Sequence, residues 1–84
     1  MVAPSIDRAV FDRDNYTCRY CGWQGSAVWL VADHDVPVSR GGLDHVLNLI
    51  TACRRCNAQK GDMTGAEYRA WRTLHPREAN FGPL

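Results

Sequence analysis

The chain has 84 residues, Lys+Arg 10 against Asp+Glu 9, and a formal net charge of +1. That length allows one small domain, expected to span 1–84, and Leu, Ile, Val and Phe together supply only 17 residues, so burial alone is a thin basis for a core and a staple is expected. No apolar run approaches the roughly 20 residues that span a bilayer, and Met1-Val2-Ala3-Pro4-Ser5 lacks the basic-then-apolar order of a secretory signal. A cytosolic, reducing location is expected, where paired cysteines more often hold metal than form disulfides. The near-zero charge leaves a nucleic-acid partner open, since only a clustered basic face would argue for one.

In chain order, a first helix is predicted over 5–12, with Ser5 as N-cap, Asp7 in the first turn, and Ile6, Ala9 and Val10 along one face. Asp14-Asn15 breaks that pattern. Cys18-Arg19-Tyr20-Cys21-Gly22 then has the look of a tight metal-binding knuckle, with glycine accepting a positive φ. Residues 27–33, rich in Val, Trp and Leu and bounded by turn residues, read as a strand. Residues 37–44, which include Ser39-Arg40-Gly41-Gly42, read as an exposed loop. A short strand or extended run follows over 46–50, and a helix over 51–60 stopped by Gly61. The last helix is predicted over 65–74, opened by Thr64 with Glu67 three residues on, a capping box. Pro76 lies just past its end, and the tail 80–84 is expected to fray.

The cysteines form two pairs of equal spacing, Cys18-x-x-Cys21 and Cys53-x-x-Cys56, with 31 residues between them. Two intervening residues let both sulfurs of a knuckle aim at one centre, and two knuckles complete a tetrahedral zinc site. The alternatives are disulfides or four free cysteines. A bridge within C-x-x-C closes too small a loop to stabilise much, and a cross-pair bridge needs an oxidising compartment. A redox role for C-x-x-C lacks the βαβ setting and needs no second matched pair. A closed four-cysteine site leaves no open coordination position, so this zinc is expected to hold the fold rather than do chemistry.

Between and after the knuckles stand Asp33-His34, Arg40-Gly41-Gly42, Asn48-Leu49, Asn57 directly after Cys56, and Lys60-Gly61-Asp62. Asp33 and His34, as strand neighbours, should point to opposite faces, yet can serve one site if the strand ends there. Any one of these residues alone has an ordinary structural explanation. Their joint order closely resembles the HNH endonuclease family, in the zinc-stapled branch where two C-x-x-C pairs flank the catalytic hairpin. The resemblance runs from about Tyr16 to Asp62. It implies an α+β fold: a small ββα-metal core of about 16–62 with a structural four-cysteine zinc site and flanking helices.

By the same resemblance, His34 is the general base, Asp33 a ligand of the catalytic cation, and Asn48 the brace of the hairpin that orients the histidine. Asn57 takes the third signature position as a metal ligand. The family often has histidine there, so this chain is similar to the His-Asn-Asn variant. An amide oxygen is a neutral, hard donor suited to Mg²⁺ or Mn²⁺. The implied activity is hydrolysis of DNA phosphodiesters. Small members of this kind are often phage-encoded, working in the host cytoplasm, some beside a DNA-packaging terminase; others belong to restriction or mobile-element systems.

Arg40, Arg54, Arg55 and Lys60 all fall in the segment where DNA would lie, and they are expected to form the basic face. His45 and His75 read as surface or packing residues, and Trp23, Trp29 and Trp71 as cover for the core and knuckle. The rival to the nuclease reading is a non-catalytic zinc-ribbon module binding nucleic acid or protein. It explains the cysteines equally well, but not the order of Asp33-His34, Asn48 and Asn57.

Overall fold

A computed structural model describes residues 4–79, with side chains from Ile6 to Ala79. The Ser5 side chain expected to cap the first helix, and the tail 80–84, lie outside the described residues. The helices are α1 (Pro4–Arg13), α2 (Arg54–Lys60), α3 (Gly65–Leu74) and α4 (Pro76–Ala79), and the strands are β1 (Leu30–His34) and β2 (Leu49–Cys53). β1 and β2 pair antiparallel, with Leu30 opposite Cys53, Asp33 opposite Ile50 and His34 opposite Leu49. The result is a two-stranded hairpin followed by a helix, stapled by a four-cysteine cluster: an α+β fold of the ββα-metal type.

The hairpin is too narrow to bury a face by itself, and the remaining elements close it. From α1, Val10 and Phe11 are buried; from the strands, Leu30, Leu49, Thr51 and Ala52; from α3, Tyr68. Tyr68 meets Tyr20 edge-on, with ring centroids 4.9 Å apart. Polar ties fix α1 to the sheet: the Asp14 carboxylate accepts from the Thr51 backbone N–H at 2.9 Å, while Arg13 reaches over to donate to the Leu49 carbonyl at 2.7 Å. Arg19 donates to the same carboxylate at 3.0 Å.

Helix α3 has the predicted bounds, and its capping box is formed: the Glu67 N–H donates to Thr64 Oγ1 at 3.2 Å, and the Thr64 N–H to Glu67 Oε1 at 2.8 Å. Three other boundaries differ from expectation. The predicted strand 27–33 begins as a 3₁₀ turn over Ala27–Trp29, because Ser26 Oγ accepts from the Val28 N–H at 3.2 Å, and pairing starts only at Leu30. Trp29 is consequently 47% exposed rather than covering the core. The run 46–50 likewise opens as a 3₁₀ turn, Val46–Asn48, where His45 Nδ1 accepts from the Leu47 N–H at 3.1 Å. The helix predicted from Thr51 starts three residues later. Thr51 to Cys53 complete the ladder with β1, and the Thr51 hydroxyl donates to the Val10 carbonyl at 3.3 Å. Pro76, expected just past a helix end, also opens α4, where a missing N–H is no loss.

Candidate active site and metal centre

The four cysteine sulfurs lie within 4.8 Å of one another. The Cys21–Cys53 pair is separated by 3.7 Å, close to the edge of about 3.8 Å that a tetrahedron with Zn–S bonds of about 2.3 Å requires. Each pair is a knuckle closed by its own backbone: the Cys21 N–H points at Cys18 Sγ (3.5 Å), and the Cys56 N–H at Cys53 Sγ (3.4 Å). Gly22 follows the first knuckle at φ 83°, as expected. Arg72 adds positive charge at 3.7 Å from Cys56 Sγ. The Cys56 hydrogen bond pulls the Cys18 thiol down to about 4, while burial pushes the Cys21 thiol up to about 11. Four thiols this close ionise together only around a cation, and a set of four sulfur donors fits zinc.

Asp33 and His34 end β1 and, as the strand geometry requires, point apart. Both still line one cleft of about 250 Å³, with Ser39, Lys60 and Asp62. Asp33 is 7% exposed. Its Oδ2 accepts from the Tyr20 hydroxyl at 2.9 Å, and Lys60 Nζ stands 3.3 Å from both carboxylate oxygens. Burial pushes the Asp33 carboxyl above its ordinary range, against the pull of Lys60 and Tyr20. His34, on the other face, brings Nε2 to 2.5 Å from Asp44 Oδ1. That hydrogen bond holds the Asp44 carboxyl below its ordinary range. A carboxylate only accepts, so Nε2 is the donor of this pair, and a neutral ring so held has Nδ1 as its acceptor.

Asn48 is the brace of the loop that follows β1. Its Nδ2 donates to the Val36 and Leu43 carbonyls at 3.1 and 3.0 Å, and its Oδ1 accepts from the Val36 N–H at 3.0 Å. The loop folds so tightly that a Cβ on Gly42 would sit 1.7 Å from the Val36 oxygen. Asp35 ties the same stretch to α3 through the Gly65 N–H at 2.9 Å.

Asn57 lies half-buried on α2, one turn before Lys60 and therefore on the same helix face, but outside the lining of the cleft. A buried carboxylate beside open volume is suitable chemistry for a hydrated hard cation, whose positive charge the Lys60 ammonium would oppose. Of the expected basic face, Arg40 and Arg54 are exposed and Arg55 half-buried. Arg40 pairs with Glu67, and Arg54 Nε donates to the Val28 carbonyl at 2.6 Å. Lys60 departs from that face: it is 2% exposed, and it donates to Asp33 and, at 2.8 Å, to the His34 carbonyl. Tyr20 and Asp44 are contributors that the order of motifs does not single out. Tyr20 carries a signal, because it sits inside the knuckle itself. Asp44 carries none, since only the fold of the intervening loop brings it to His34.

A hairpin, a following helix, a cleft bearing an aspartate and a histidine, and a four-thiol metal centre define a metal-stapled ββα module. The sequence model of the HNH endonuclease family matches residues 18–63, 46 of the 84, and the chain belongs to that family. Membership suggests nuclease activity on nucleic acid, and the cysteine cluster suggests zinc. No curated protein matches the chain. Among the described residues no helix is long and apolar enough to cross a membrane.

Proposed function

We propose that the chain is a metal-dependent DNA endonuclease in which His34 is the general base and Asp33, with Asn57, holds one Mg²⁺ or Mn²⁺ ion. The observation that carries this reading is the imidazole of His34 on the same cleft as the buried Asp33 carboxylate, with its Nε2 held 2.5 Å from Asp44 Oδ1. Nδ1 then takes the proton from the attacking water, and an imidazole with a reference pKa near ~6.5 does so around neutral pH. The bound cation supplies positive charge to the phosphate oxygens. Asn48 acts by holding the backbone after His34, so that the imidazole and the Asp33 carboxylate keep their relative position. Arg54 and Arg55 in the first turn of α2, with Arg40 on the loop, are the charges offered to the DNA backbone.

A plasmid-nicking assay with added Mg²⁺, run beside His34→Ala, tests the reading. The variant should lose about 10²–10⁴-fold in rate while binding DNA and zinc as before. Equal cutting by both proteins overturns the assignment of His34. A wild-type chain that binds DNA without cutting it would instead be a non-catalytic zinc-ribbon module.

A further inference from the structure

Nine of the ten basic residues are arginines, and Lys60 is the only lysine in the chain. It is also the basic residue placed deepest, at 2% exposure, with its ammonium 3.3 Å from both oxygens of Asp33 and 2.8 Å from the His34 carbonyl oxygen. The Tyr20 hydroxyl takes a further position on Asp33 Oδ2. The carboxylate thus already has a full counter-charge. A divalent cation arriving there meets an ammonium within a few ångströms, in a setting where burial weakens solvent screening.

We infer that Lys60 is the resident counter-ion of Asp33, and that a divalent cation binds this cleft only by displacing its ammonium from the carboxylate. This rests on the reading of Asp33 as a cation ligand. Several features favour displacement over coexistence. The His34 carbonyl gives the ammonium a second anchor, so it can leave Asp33 without becoming unpartnered. The adjoining cleft gives it somewhere to turn, towards Ser39 and Asp62. A divalent cation on Asp33, with the displaced ammonium still in the same cleft, also leaves excess positive charge, which an anionic phosphate there would relieve. The cation and the DNA phosphate should therefore bind cooperatively, and the cation alone only weakly. Lys60 acts here as a positioning residue, keeping Asp33 ordered while no cation is bound.

The test uses the zinc-loaded full chain. Mn²⁺ binding is measured by electron paramagnetic resonance for wild type, Lys60→Met and Lys60→Gln, with Asp33→Asn as the control that removes the ligand. Both Lys60 variants should bind Mn²⁺ at least about tenfold more tightly than wild type, and Asp33→Asn should abolish that gain. Because an unpaired Asp33 costs stability and can impair folding of the variants, wild type supplies a second readout. Lysine labelled with ¹³C at Cε gives a single resonance, and on addition of Mg²⁺ it should shift with the midpoint of the Asp33 carboxyl resonance. Unchanged Mn²⁺ affinity in the Lys60 variants, or a Cε signal that stays put while the Asp33 carboxyl signal moves, overturns displacement and leaves the cation reading standing. If no protein binds Mn²⁺ and neither resonance moves, the assignment of Asp33 as a cation ligand falls, and the inference falls with it.

Discussion

Asp44 and Asp14 show how differently two carboxylates act in this chain. Asp44 is exposed and its carboxylate meets the His34 ring. Asp44→Ala frees that ring to rotate and to change tautomer, so cleavage should slow by up to about 10²-fold with little change in DNA affinity. Asp44→Glu should recover part of the rate, and a steady-state comparison of kcat with KM would check both. Asp14 is structural. Burial alone would raise its carboxyl, but the hydrogen bonds from Arg13 and the Thr51 N–H win and hold it well below the usual range. The unfolded chain therefore takes up the proton first on acidification. The stability Asp14 contributes is complete above its unfolded value near ~3.9 and disappears as pH falls towards the depressed folded value. Asp14→Asn should remove that acid dependence at a cost of about 2–3 kcal/mol, read from urea unfolding at pH 3 and pH 7. The adjacency of Asp33 and His34 is visible in the sequence. The pairing of Lys60 with Asp33 is not, because 27 residues separate them and only the packing of α2 against β1 joins them.

At the scale of elements, α3 is fully legible because its start is written in side chains: Thr64 and Glu67 cap it by mutual hydrogen bonds that depend only on neighbours. Thr64→Ala should cost about 1 kcal/mol, measured as a lower urea midpoint at constant m. The boundary between β2 and α2 is not legible. Thr51-Ala52-Cys53 has no strong local preference, and it is the partner strand that keeps these residues extended. The starts of both predicted strands fail for a similar reason, since the Ser26 and His45 side chains capture the backbone of the next residues into 3₁₀ turns. In the loop, Asn48 and Gly42 work as a pair, one bonding to the Val36 carbonyl and the other leaving it room.

The described residues form a slab of 34 × 29 × 16 Å with few large buried side chains among them, so the four-cysteine centre carries a large share of the stability. Cys56→Ser, or a chelator strong enough to strip zinc, should unfold the chain, as followed by circular dichroism. Brief EDTA treatment should stop cleavage while one zinc per chain remains, and Mg²⁺ or Mn²⁺ should restore it without refolding. The cysteine spacing makes this staple readable from sequence, because equal C-x-x-C pairs have few other uses. The distribution of charge is only partly readable. Arg54→Ala with Arg55→Ala should flatten the salt dependence of DNA affinity by about 0.9 in log–log slope for each phosphate that is no longer neutralised. An unchanged slope in binding titrations would place the DNA footprint elsewhere.

Cys53 is at once the last residue of β2, a member of the thiolate cluster, and the N-cap of α2 through its sulfur. No linker separates strand, metal and helix, and the same helix delivers Lys60 to the cleft two turns on. The two ends of α2 are therefore thermodynamically linked. Whatever orders the helix from the cleft side must tighten zinc by the same factor by which zinc tightens the cleft ligand. A colorimetric chelator should accordingly need a higher concentration to remove half of the zinc when DNA and Mg²⁺ are present together. The staple would then report on whether substrate is bound.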